Sequence, residues 1–151
     1  MDKIEIKEYK SKYFDEEYSM IFINGSSLDL ILDSNYPEEN LYGLVPSATW
    51  LWDESEKSLS IERLMNDLEA STFVPMLVCP DDADFSCTVL IIEVEIKGQR
   101  VNWKRMGIDV GEFNKGVGVT VRWLEPNISF TFEKSKYDDF REKLILLSNE
   151  L

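Results

Sequence analysis

The chain has 151 residues, 44% of them apolar and 12% aromatic, with 29 acidic against 16 basic side chains and a formal charge of −13. That length and apolar content fit one globular domain over residues 1–151 and exclude a disordered chain. The charge disfavours nucleic-acid and anionic-membrane binding, because phosphates repel such a surface, and it reads either as attraction for a basic protein partner or as an aid to solubility alone.

Taken in chain order, Ile4 and Ile6 mark a first strand. Tyr18 to Ile23 predicts a second, running into an Asn24-Gly25 turn. Ser27 is placed to cap a short helix through Leu28, Ile31 and Leu32, which must end before Pro37. Trp50 and Trp52 alternate onto one face beside the acids Asp53, Glu54 and Glu56. They are read either as core aromatics or as an aromatic anchor with an acidic rim. Ser60 is expected to cap a middle helix with Ile61, Leu64, Met65 and Leu68 on its inner face.

The alternation of Leu90, Ile92, Val94 and Ile96 predicts a half-buried strand. Lys97-Gly98-Gln99-Arg100 turns the chain, with Gly98 suited to a type II′ loop. A two-residue loop sets Ile96 against Val101, Val94 against Trp103 and Glu93 against Lys104. The same register puts Arg105 on the core side opposite Ile92, where a pairing with Asp81, Asp82 or Asp84 is expected. Val117, Val119, Val121 and Trp123 then share one strand face. Glu125-Pro126-Asn127 turns into a return strand with Ile128, Phe130 and Phe132. Ser135 is expected to cap a C-terminal helix with Asp138 as its capping-box partner, and Tyr137, Phe140, Leu144 and Leu147 form the stripe. Antiparallel strands in sequence, with helices before and after, give an α+β fold: a mainly antiparallel sheet packed with two or three helices, the last C-terminal. Leu90, Ile92, Val94, Ile96, Val101, Trp103, Val119, Val121, Phe130 and Phe132 are its predicted core.

Histidine is absent from the sequence. Serine or cysteine triads and histidine general bases are therefore excluded, and two cysteines alone cannot close a zinc shell. Asp81, Asp82 and Asp84 form the best carboxylate cluster, yet their spacing fails the calcium-loop pattern, so an acidic turn is the expected reading. Cys79 and Cys87 bracket that turn. Disulfide, redox switch and buried thiol all fit them, with the buried thiol as the default. The glycines from Gly111 to Gly118 match neither a Walker loop nor a dinucleotide loop, because a strand follows them, and they read as a connection. No catalytic residue, metal site or cofactor is expected.

The charged stretch from Met1 to Tyr18 leaves no apolar signal region, and apolar runs such as Phe73 to Cys79 are too short to cross a bilayer. The expected compartment is the cytoplasm.

The block from Val78 to Thr88, with Glu93-Val94-Glu95 and the stretch from Val101 to Asp109, looks like a type of small bacterial protein. In size, acidity and lack of catalytic groups it resembles immunity proteins of contact-dependent or polymorphic toxin systems. The resemblance covers the central third to half of the chain. It implies a cytoplasmic inhibitor that binds the toxin domain of a neighbouring cell, a basic nuclease being the natural partner. The candidate contacts are Trp50, Trp52, Asp53, Glu54 and Glu56, with Asp81, Asp82 and Asp84 as a second acidic group. The alternatives are a carboxylate-based, metal-dependent enzyme and a generic acidic interaction module.

Overall fold

The computed structural model describes residues 1–10, 15–111 and 116–149. β1 (Ile4–Tyr9) and β2 (Tyr18–Ile23) pair antiparallel from Ile4 opposite Ile23 to Tyr9 opposite Tyr18. Asn24 and Gly25 follow with φ of +51° and +88°. Two successive positive φ values make the tight turn that β3 (Ser26–Ser27) needs to fold back on β2. Helix α1 (Leu28–Asn35) starts after Ser27, as expected, although that serine makes no side-chain capping bond. A 3₁₀ turn (Pro37–Glu39), β4 (Val45–Pro46), the single-turn helix α2 (Ser47–Trp50) and α3 (Glu54–Leu64) come next.

The second sheet orders β4, β5 (Ser71–Val78), β6 (Val89–Lys97) and β7 (Arg100–Asp109) side by side. β8 (Val121–Trp123) and β9 (Phe130–Glu133) both lie on the outer edge of β7, at its two ends. They therefore do not form the hairpin that the Glu125-Pro126-Asn127 turn suggested. β7 is long enough to template both. Gly107 lets β8 approach closely, since a Cβ there would sit 2.5 Å from Val121 Cγ1 and 2.8 Å from the Arg122 carbonyl. Every described strand pair is antiparallel. With α4 (Lys134–Ser148) at the C-terminus, the fold is α+β with four described helices instead of two or three.

The β6–β7 hairpin keeps the predicted pairs Ile96–Val101 and Val94–Trp103, and Gly98 has the positive φ of +61° that its loop needs. The register then shifts. A bulge at Lys104 sets Glu93 opposite Arg105, not Lys104, and Ile92 opposite Met106. Strict alternation would have driven the Arg105 guanidinium into the core. The extra residue rotates it to the outer face and gives the core position to Met106, which is 1% exposed. Arg105 Nε lies 2.6 Å from Glu93 Oε1 and the guanidinium stacks 3.8 Å from the Trp123 ring, so its partner is not the 81–84 loop. Lys104 still reaches Glu93 at 3.7 Å.

Three other expectations fail. Ser60 lies inside α3, whose cap is Asp53, and Leu68 is exposed beyond the helix end. Ser135 caps nothing. α4 starts at Lys134 with Glu133 at the cap position, two residues earlier than a Ser135 cap implies, and Asp138 pairs with Lys134 and Arg141. Val119 is exposed because β8 begins only at Val121, and Val121 and Phe130 are half-buried on short strands whose described pairing is on one side only, with β7. The other seven predicted core residues are buried.

One hydrophobic cluster joins both sheets and α4. At its centre Trp103 packs edge-on to Phe132 (5.1 Å, 80°) and donates its indole N–H to the Tyr137 hydroxyl at 3.2 Å. Burial pushes the Tyr137 phenol up to about 12, so it remains neutral. Tyr137→Phe strips the indole of its acceptor while keeping ring packing. The expected loss is about 1–2 kcal/mol of unfolding free energy in urea titration. In a Trp103→Phe background the same change should cost less, because no buried donor is then orphaned.

Candidate functional site

Pro75 sits inside β5, opposite Ile91 of β6. On the other side β4 covers β5 only at Leu77 and Val78. Proline has no N–H to offer a further strand, but its carbonyl remains an acceptor. Ser47 of α2 donates to that carbonyl at 2.5 Å and Ser60 of α3 at 3.3 Å, with the two hydroxyls 2.6 Å apart and both serines buried. These bonds lay α2 and α3 against the sheet where the ladder stops.

The short link between the helices carries the candidate residues. Leu51 is buried, and Trp52 points outward with 82% of its surface exposed. Trp50 is half-buried and meets the Tyr18 ring edge-on at 5.6 Å. The core reading therefore suits Trp50 in part and fails for Trp52. Asp53 caps α3 by accepting from the Ser55 and Glu56 amides, each at 3.0 Å. The Ser55 hydroxyl and these amides hold its carboxyl below the usual range. Glu54 and Glu56 occupy the first helical turn, where the helix dipole favours acids.

The 79–88 connection between β5 and β6 docks onto this link. Ala83, buried and left-handed at φ +50°, donates to the Cys79 carbonyl at 3.0 Å and accepts from the Trp52 amide at 3.3 Å. The Phe85 amide donates to Glu56 Oε2 at 3.4 Å. The two acidic groups that are separate in sequence thus form one surface around Trp52. Asp84 accepts from the Ser86 amide (2.9 Å) and hydroxyl (2.5 Å), so the amide bond of the acidic turn is made by Asp84 and not by Asp81 or Asp82, where it was expected. Asp81 and Asp82 are exposed.

A groove of about 700 Å³ opens beside Trp52. Trp50, Trp52 and Glu54 line it, facing Glu8, Glu17 and Tyr18, with Lys57 and Leu147 completing the wall. Lys57 is committed to the Ser148 carbonyl at 3.0 Å. Glu8, Glu17 and Tyr18 carry no sequence signal for this role, since only the β1–β2 pairing brings them here. Glu112 to Lys115, within the glycine stretch, lie outside the described residues.

Among the described residues one group of three metal-capable side chains converges: Cys79, Asp82 and Cys87, with ligand atoms within 4.8 Å of one another. Asp81 and Asp84 are not in it. Nor is any described helix long and apolar enough to cross a membrane.

Glu56 is the strained member of the surface. Burial raises its pKa, with the Asp53 and Asp84 charges adding to the shift and the Phe85 amide opposing it. Its second oxygen is buried without a hydrogen bond. A raised carboxyl favours folding when protonated, and this contribution is lost as pH rises from the ordinary glutamate value through the folded-state value. Glu56→Gln should therefore raise the melting temperature at pH 7 and leave it unchanged near pH 3, where both states carry a neutral side chain. Equal effects at both pH values would show that charge is not the cause.

Comparison with family models, with curated proteins and with solved structures finds no match to this chain, so its function is argued from the site itself.

Proposed function

We propose that this chain is an immunity-type inhibitor that binds a basic toxin domain through the surface centred on Trp52. The observation that carries the reading is Trp52 itself, 82% exposed and surrounded by Asp53, Glu54, Glu56 and the 81–84 loop. An exposed tryptophan on a fixed backbone is the residue type that most often dominates an interface, because it removes a large apolar area from water with little entropy loss. The carboxylates around it supply complementarity to lysine and arginine. A cation placed against this surface would offset the repulsion of Glu56 with Asp53 and Asp84. Inhibition would be steric: the acidic surface covers a basic active site and takes the place of its polyanionic substrate.

The test is co-expression with the C-terminal toxin domain encoded by the gene immediately upstream. Growth should be restored and the two chains should co-purify. In that complex Trp52→Ala should weaken binding roughly 30-fold or more, mainly through faster dissociation. Asp81→Asn with Asp82→Asn should instead slow association, and this effect should shrink as salt rises. Equal killing with and without this chain, and no co-purification, would overturn the reading for that pair.

A further inference from the structure

We propose that Cys79, Asp82 and Cys87 form a binding site for a zinc ion that closes the acidic loop. The proposal is independent of the partner assignment. Cys79 directly follows the last residue of β5, and Cys87 stands two residues before β6. Val78 pairs with Val89, so the strand ends hold the two cysteines at the mouth of the loop. The third ligand comes from the loop's own fold. Ala83 donates back to the Cys79 carbonyl and adopts left-handed backbone, a conformation uncommon outside glycine and asparagine. That tight turn returns Asp82 towards the thiols. The two sulfurs and an Asp82 oxygen then lie within 4.8 Å of one another. Around a tetrahedral zinc the corresponding separations are about 3.6–3.8 Å, given metal–sulfur bonds of ~2.3 Å and metal–oxygen bonds of ~2.1 Å. A contraction of about 1 Å would close the set.

The ligand chemistry selects the metal. Two thiolates disfavour magnesium and calcium, and the hard carboxylate disfavours copper(I), which leaves zinc as the best match among common ions. Asp82 is exposed, so the fourth position is open to water. The described ion pairs engage Glu5, Glu39, Asp67, Glu93, Glu95 and Asp138, and none reaches Asp82. Among the described residues, then, no cation pairs with this cluster. Binding one Zn²⁺ forms two sulfur–zinc bonds and one oxygen–zinc bond, and it releases the two thiol protons to solvent. No oxidant is needed. A disulfide between the same cysteines would leave Asp82 without a role, and the test separates the two.

The probe is Co²⁺, followed by Zn²⁺, added to the full chain kept reduced and free of oxygen. One Co²⁺ per chain should bind with thiolate-to-cobalt charge-transfer absorption and the strong visible bands of tetrahedral cobalt, and Zn²⁺ should displace it. Cys87→Ser should weaken Zn²⁺ binding by at least about 100-fold. Asp82→Asn, an exposed change that leaves both thiols in place, should weaken it about 10-fold while keeping the charge-transfer band, with circular dichroism confirming the fold. The assignment is overturned if cobalt gives only weak octahedral bands, or if Asp82→Asn binds Zn²⁺ as tightly as the parent chain. Formation of a Cys79–Cys87 disulfide in air despite excess Zn²⁺ would likewise overturn it and identify a redox pair.

Discussion

The placement of the acidic surface depends on one backbone carbonyl. A proline within a strand ends the ladder on the side its ring faces, because it offers no donor there, and the carbonyl on that side still requires partners. At Pro75 the partners are two serine hydroxyls from two different helices. A buried carbonyl without them would cost about 1–3 kcal/mol, so the same requirement that interrupts the sheet also fixes what replaces its next strand. α2 and α3 follow, and with them the short link that exposes Trp52 and caps α3 through Asp53.

α3 is held at its other end as well. Arg141 of α4 is buried, donates to the Leu64 carbonyl at 3.2 Å and to Asp67 at 2.7 Å, and pairs with Asp138. Its guanidinium also lies 5.3 Å from the Tyr137 ring. A buried arginine is tolerated only where its charge is met, and here Asp138 of α4, the Leu64 carbonyl at the end of α3 and Asp67 after it engage the two terminal nitrogens, while Nε stays without a hydrogen-bond partner among the described residues. Lys57 adds a bond to the Ser148 carbonyl. The acidic first turn of α3 therefore stands on a helix fixed to the sheet by Ser60 and to α4 by Lys57 and Arg141.

The sequence made the local elements legible and left their long-range relations hidden. β2, the Asn24-Gly25 turn, the start of α1 and the β6–β7 hairpin follow from period and turn chemistry, which neighbouring residues determine. The bulge at Lys104 does not, because it answers a demand for keeping Arg105 out of the core that only the packed sheet imposes. β5 carries no clear strand signal, since Pro75 breaks the run and the residues after it are buried on both faces instead of alternating. Ser60 looks like a cap by residue type, but it is a donor to a carbonyl fifteen positions away. At the site, the tryptophans and acids were legible as two groups. Their union rests on the Ala83 and Phe85 bonds to Trp52 and Glu56, and no spacing rule encodes those. Asp82 was grouped with Asp81 and Asp84 by proximity in sequence, whereas the left-handed turn at Ala83 assigns it to the cysteines.

Carboxylates gathered this densely repel one another, and a flexible segment would relieve the repulsion by spreading apart. The Trp52 link cannot spread. Its amide is bonded to Ala83, its flanks are Leu51 in the core and Asp53 on the helix cap, and the loop opposite is bonded to Glu56. The helix dipole offsets part of the repulsion for Asp53, Glu54 and Glu56, but Glu56 still keeps one oxygen without a donor. The fold thus maintains negative potential on a rigid ledge at some expense to its own stability. Rigidity of this kind lowers the ordering cost of association, and the maintained potential acts only on a cationic surface brought against it. The two properties together support the proposed reading of this surface as one that binds a basic protein.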